Sequence, residues 1–257
     1  MRRLATLAAL GLLAAGCGGG GDSASPDDIA QAAKKTSSTG SFEAEFGISG
    51  QGLTGSGSGV FDNGDNPAGQ LNMTVKAAEQ EIPVDTVVTG DVFYMRSPAF
   101  ARTIARGKQW IKLDLAKLAK QRGVDLGGLL NASPTPNNAL AYLAGADDVE
   151  KVGGEKVGGD DTTHYKVRVD VSEAAKKARG TAQSSLQGVR ASGVQKLPMD
   201  VWLDPNGYIR KVRYAEHAGR QQAANVTMEL HDFGARVSIE PPPSDSVFDL
   251  TRLQGGQ

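Results

Sequence analysis

The sequence predicts an α+β domain built on a curved antiparallel sheet of about eleven strands, with helices at its start and in its middle. Segment after segment alternates apolar and polar residues with period two. In residues 41–49, Phe42, Ala44, Phe46 and Ile48 alternate with Ser41, Glu43, Glu45, Gly47 and Ser49. The chain holds 33 glycines and only 5% aromatic residues, a composition of strands and turns rather than of a helical bundle. A Leu-rich stretch over 115–143 interrupts the strands and divides them into two runs.

The first seventeen residues read as a signal. Arg2 and Arg3 form a positive start, and residues 4–15 form an apolar run too short for a bilayer-spanning helix, which needs about twenty residues. Leu13, Ala14, Ala15, Gly16 and Cys17 are similar to a lipobox. That pattern implies a diacylglyceryl thioether on Cys17 and cleavage after Gly16. An ordinary secretory peptide would leave a free thiol, but a lone cysteine at this point argues for the anchor. Two acyl chains suffice for stable membrane residence. The expected location is therefore the extracytoplasmic face of the cell membrane. Residues 17–25, with the run GGGGDSAS, form a lipidated flexible tether.

Removing residues 1–16 leaves 241 residues, and 26 Lys and Arg against 29 Asp and Glu, a net charge of −3. That length fits one domain over 26–257, because no linker divides it. A mixed, mildly acidic surface has no basic patch for nucleic acid. With its only cysteine acylated the domain has no disulfide and must rest on a packed core. A monomer is expected.

Ser25, Pro26, Asp27 and Asp28 start a helix that runs to about Lys35, with Ile29, Ala32 and Ala33 inward. Strands are expected over 41–49, 52–61, 70–76, 81–89, 91–96 and 109–113, a six-strand meander with short links. In the second of these, Gly55, Gly57 and Gly59 share one face, which lets the sheet bend or lets another group approach its backbone. Helices are expected over 114–121, with Leu115, Leu118 and Ala119 inward, and over 136–143. Leu126, Leu129, Leu130, Leu140 and Leu143 give this middle stretch an apolar face. Strands resume over 149–157 and 162–171, one polar helix follows over 172–187, and strands 196–203 and 208–215 flank the turn Asp204-Pro205-Asn206-Gly207. A last strand over 225–233 precedes Pro241-Pro242-Pro243, where regular structure is expected to end.

In that order the elements resemble the bacterial lipoprotein-carrier fold, the half-barrel of LolA and LolB shared with the mycobacterial LppX/LprG lipoproteins. The resemblance rests on the lipobox, the amphipathic opening over 29–46, and Trp110-Ile111-Lys112-Leu113 leading into the helical stretch. It rests also on the glycine-rich hairpin from Val152 to Tyr165, on Val201-Trp202-Leu203-Asp204, and on Asp232-Phe233-Gly234 before Val237-Ser238-Ile239-Glu240-Pro241-Pro242. One departure is the long polar segment over 179–195. The resemblance implies an incomplete barrel wrapped over helices, with an apolar cavity that takes the acyl chains of a lipid or other amphiphile. Its lining would come from Phe42, Phe46, Ile48, Leu71, Met73, Val75, Met95, Trp110, Leu129 and Leu140. The rival reading is a surface lipoprotein whose sheet is filled by its own side chains and serves a structural or partner-binding role.

Nothing in the sequence argues for catalysis. His164, His217 and His231 form no HExxH arrangement, and no GxSxG or SxxK motif is present. The glycine runs lack a P-loop ending, and Asp147-Asp148 and Asp160-Asp161 lack further ligands at EF-hand spacing. No metal or cofactor is expected. Trp110 and Trp202 are expected to pack in the core or a cavity wall.

Overall fold

Ser25 starts the first helix by a reciprocal cap. Its Oγ accepts from the Asp28 N–H (3.2 Å), and Asp28 Oδ2 accepts from the Ser25 N–H (2.8 Å). Helix α1 (Pro26–Ser37) then buries Ile29, Ala32, Ala33 and Thr36. Thr36 Oγ1 donates back to the Ala32 carbonyl (2.8 Å) and accepts from the Ile209 N–H (2.9 Å), so one buried hydroxyl ties the helix to the sheet. The computed structural model describes residues 23–50, 52–64, 66–77, 80–103, 105–114, 117, 135–218 and 221–251. The expected signal, Cys17, the start of the tether and most of the expected helix over 114–121 lie outside these residues.

The strands are β1 (Ser41–Gly50), β2 (Leu53–Asp62), β3 (Ala68–Ala77), β4 (Gln80–Thr89), β5 (Val92–Arg96), β6 (Trp110–Asp114), β7 (Ala146–Val157), β8 (Asp160–Asp170), β9 (Lys196–Leu203), β10 (Ile209–Ala218), β11 (Gln221–His231) and β12 (Val247–Asp249). They form one curved sheet in the order β12-β6-β5-β4-β3-β2-β1-β11-β10-β9-β8-β7. The edges β12 and β7 do not meet, so the barrel is incomplete. Every pairing is antiparallel except β12 beside β6. Two meanders are thus joined through β1 and β11, which pair across the middle of the sheet.

Helix α1 and the described helices that follow residue 135 sit over one half of the inner face. Helix α3 (Pro136–Tyr142) is capped by Thr135, whose Oγ1 accepts from the Asn138 N–H (3.3 Å), and runs into a 3-10 turn over Leu143–Gly145. With α1 and the later helices it covers Phe42, Ala44, Met228, Leu230, Val212, Val201 and Val169, all at most 2% exposed. On this half the protein's own side chains fill the space. Burying each of these side chains except that of Ala44 stabilises the fold by about 1.5–3 kcal/mol.

Three elements differ from the expectation. The single helix over 172–187 is two helices, α4 (Val171–Lys177) and α5 (Gly180–Ala191), parted by extended backbone at Ala178 and Arg179. The break lets both helices press small residues into one core: Ala174, Ala175 and Ala178 from the first side, Ala182 and Leu186 from the second. A short helix α2 (Pro98–Thr103) follows β5. Regular structure does not end at the prolines, because β12 adds a twelfth strand whose end is fixed by Thr251, where the buried Oγ1 accepts from the Asp114 N–H (3.0 Å).

Asp170 caps α4. Its Oδ1 accepts from the Glu173 N–H (2.9 Å) and its Oδ2 from Lys196 Nζ (3.0 Å). The Glu173 amide first, and Lys196 second, hold its carboxyl below the usual carboxylate range. A folded-state pKa below the unfolded one contributes stability that is present at neutral pH and is lost as pH falls through the lowered value. Asp170→Ala is therefore expected to cost about 1 kcal/mol at pH 7. In urea denaturation the gap from the parent should narrow as the pH is taken below the ordinary carboxylate range.

Candidate ligand cavity

The register of β2 to β6 sets the inner face on the other half of the sheet in rows. Gly59, Leu71, Thr86, Met95 and Ile111 pair successively across the strands, as do Phe61, Gly69, Val88, Phe93 and Leu113. A third row runs Gly57, Met73, Val84, and a fourth Gly55, Val75, Ile82. No helix among the described residues covers these rows as the other half is covered, and most of their side chains are half-buried rather than buried. Their members Phe61, Leu71, Met73, Val84, Phe93 and Met95, from β2 to β5, border a cavity of about 310 Å³, at the lower end of the range for small-molecule sites, about 300–1,000 Å³.

Glycine shapes this surface. A Cβ at Gly59 would meet the Phe61 ring at 3.1 Å, and one at Gly69 would meet it at 3.0 Å. The ring lies across both positions because neither has a side chain. Phe61 in turn packs on Phe42 (centroids 5.4 Å apart, planes at 23°) and near Phe46 (5.8 Å). It forms the wall between the filled core and the cavity.

Of the expected lining, the structure brings together Ile48, Leu71, Met73, Val75 and Met95. Phe42 and Phe46 belong to the core behind Phe61, at 0% and 4% exposed. Leu140, on α3 itself, is buried in the core and does not border the cavity. Trp110 is on the opposite face: it pairs with Arg96, whose guanidinium stands 4.9 Å above its ring while binding Asp85 (2.7 Å). Leu129 lies outside the described residues, with Leu115, Leu118, Ala119, Leu126 and Leu130. Sequence reasoning missed Phe61, Val84, Val88 and Phe93. The signal was available in β4, where Ile82, Val84, Thr86 and Val88 alternate, although the polar Thr86 obscures the stripe.

The rim is polar. Thr135, Asn137 and Asn138, at the start of α3, border the cavity. Asn63 Nδ2 donates to the Ser37 carbonyl (3.1 Å), which leaves Asn63 Oδ1 to accept from Asn137 Nδ2 (2.7 Å). Among the described residues the buried Asn137 Oδ1 has no donor.

The described histidines sit on the outer face of the sheet. His164 stacks on Trp202 (4.2 Å, 7°) with Nε2 on Asp200 Oδ1 (2.7 Å), and Trp202 Nε1 donates to Glu155 Oε2 (2.6 Å). Trp202 is thus buried from outside, under polar partners, and is not a cavity wall. His231 Nδ1 bonds Asp232 Oδ2 (2.7 Å), and Glu43 joins them so that their ligand atoms lie within 4.8 Å of one another. These three could hold a cation at the surface, a grouping across β1 and β11 that spacing along the chain does not reveal. No helix of the described residues is long and apolar enough to cross a membrane.

No protein-family model matches the chain. An uncharacterised 31.2 kDa protein of Streptomyces griseus is 27% identical over 198 residues, covering 73% of this chain and 64% of that protein. A Streptomyces coelicolor protein named as a candidate lipoprotein is 29% identical over 173 residues, covering 65% of this chain and 51% of that one. The chain therefore spans less than two thirds of either relative. Among solved structures, LprF from Mycobacterium bovis superposes with a TM-score of 0.52 at 16% identity, covering 86% of this chain and 99% of that one. LppX from Mycobacterium tuberculosis gives 0.52 at 14% identity, covering 84% and 97%. The fold is that of these mycobacterial lipoproteins.

Proposed function

We propose that the chain is a lipid-anchored envelope protein that takes an acyl chain of a lipid or other amphiphile into the β2–β5 cavity, for transport or presentation at the cell envelope. The observation that carries this reading is the asymmetry of the sheet. Among the described residues, helices close one half of its inner face, while the other half presents apolar rows to a cavity of about 310 Å³. Each methylene moved from water into such a space gains about 0.8 kcal/mol, so a chain of ten or so gains about 8 kcal/mol, comparable with the roughly 4–15 kcal/mol that association costs. The lipobox ending at Cys17 supports the anchor, as do the name of the Streptomyces coelicolor relative and the shared fold. The described lining of the cavity is mostly apolar, which supports a binding role. The rival, a surface domain filled by its own side chains, fits the β8–β11 half and leaves the open rows of the other half without a purpose.

The chain from residue 17 onward, carrying Cys17→Ser so that no covalent lipid intervenes, tests this in native mass spectrometry. It is expected to carry co-purified lipid or to take up added 1-palmitoyl lysophosphatidylcholine. Val84→Arg puts a long side chain into the cavity while its charged end reaches the rim. Uptake should fall at least tenfold with little change in thermal stability. Absence of lipid in the parent, before and after addition, would sink the reading.

A further inference from the structure

We propose that the amphiphile has an anionic phosphoglycerol-type headgroup, seated in a cleft between α1, α3 and α4; this rests on the acyl-binding role of the neighbouring cavity. The cleft has a volume of about 470 Å³ and is bordered by Lys34 and Asp27 of α1, Asn137 of α3, and Lys177 and Arg179 at the end of α4. Asn137 also borders the apolar cavity, so the two spaces share a wall. An amphiphile with its chain in one would have its polar end at the other.

The charge of the cleft is the second observation. Three cations stand against the single carboxylate of Asp27. Elsewhere on the surface Lys35 and Lys108 are held by backbone carbonyls, whereas several basic side chains have carboxylate partners: Lys156 with Asp161, Lys176 with Glu173, Lys211 with Glu229, Arg168 with Asp148, Arg213 with Asp200. Among the described residues Lys34, Lys177 and Arg179 have none. Two are held by neutral groups instead. Lys177 Nζ donates to the Ala144 carbonyl (2.8 Å), and Arg179 Nη1 donates to the carbonyls of Lys176 (3.2 Å) and Ala178 (2.9 Å). Those bonds fix the positions of the charges without neutralising them. A phosphate diester would do so through charge-assisted hydrogen bonds.

Among the described residues the buried Asn137 Oδ1, at the shared wall, lacks a donor. A glycerol hydroxyl carries one, so a phosphoglycerol headgroup supplies both the charge and the hydrogen. The cleft also adjoins the start of α1 at Asp27. From Cys17 that is ten residues, a reach of at most about 35 Å when extended. An anchored domain can therefore hold the cleft close to the bilayer that holds such lipids.

The test compares two probes with the same chain, 1-palmitoyl lysophosphatidylglycerol and 1-palmitoyl lysophosphatidylcholine, on the Cys17→Ser chain at fixed ionic strength. The anionic probe is expected to bind at least fivefold tighter. The Lys34→Gln/Lys177→Gln/Arg179→Gln variant should lose that preference and keep its affinity for the zwitterionic probe. Lys34→Gln alone, at an exposed position, should halve the preference and serves if the triple variant does not fold. Equal affinities in the parent, or a preference that survives the substitutions, would overturn the headgroup site and leave the acyl-binding reading intact. Inorganic phosphate that binds the parent as tightly as the anionic probe would also overturn it, since the cleft would then be a free-anion site. Failure of both probes to bind would instead remove the acyl-binding reading itself.

Discussion

Replacing Phe42 by alanine is expected to destabilise the domain by about 3–5 kcal/mol, the range for emptying a buried aromatic site. Phe42 is 0% exposed and touches both sides of the central seam. Its ring stacks on Phe61 of β2 and meets Phe233, beyond β11, edge-on at 6.4 Å. Phe233 in turn stacks on Tyr208 (5.2 Å). The surroundings cannot close on the gap cheaply, because Phe61 already rests on Gly59 and Gly69. Urea denaturation should show the midpoint falling sharply with an unchanged slope. Met95→Ala, at a half-buried cavity position, should cost less than half as much, because part of its surface is already open. A loss under 1 kcal/mol for Phe42→Ala would mean that the aromatic cluster is not packed as described. A second consequence separates core from cavity: without Phe42 behind it, Phe61 gains room to tilt, so ligand uptake should change along with stability.

The Phe42 site also marks how far the sequence could be read. The alternation that places Phe42, Ala44, Phe46 and Ile48 on one face is a local signal, and the structure puts all four on the inner face. What alternation does not say is which inner positions are covered. Phe42 and Phe46 are sealed in the core, whereas Ile48 borders the cavity on the same strand, because coverage depends on where α1 and α3 come to rest. Trp110 shows the opposite limit. It is apolar and in a strand, yet its parity puts it beside Arg96 and outside. Only the register with β5 reveals that. β12 escaped notice for a related reason, since three residues pairing through their backbones leave no period to detect. The break at Ala178 and Arg179 was hidden because neither residue is a helix breaker; tertiary packing of α4 against α5 overrides local propensity there. The polar groups that converge on Asn137 come from β2's end, α1 and α3, far apart in the chain, so no motif could announce them.

Gly57→Ala is expected to be the most damaging single-methyl addition on the cavity side, at about 2–3 kcal/mol, the upper part of the overpacking range. A Cβ there would stand 2.1 Å from the Asn72 carbonyl oxygen, 2.7 Å from Met73 Cα and 2.8 Å from Met73 Cγ. The first two are backbone atoms of the paired strand, so relief requires moving β3 away from β2 and weakening their ladder. Gly55, two residues earlier on the same face, is the control. A Cβ there would meet nothing nearer than 3.5 Å, the distance to Met73 Cε and the Thr74 carbonyl oxygen. Gly55→Ala should be neutral or stabilise by about 0.4–1 kcal/mol through the less flexible unfolded chain. The same unfolded-state gain applies to Gly57→Ala, so the difference between the two isolates the close approach of the strands. Midpoints in urea measure it. Lipid uptake at matched folded fraction should fall only for Gly57→Ala, because the displaced Met73 side chain lines the cavity. If the two variants behave alike, β2 and β3 do not approach as closely as described, and the bend that shapes the cavity must come from elsewhere in the sheet.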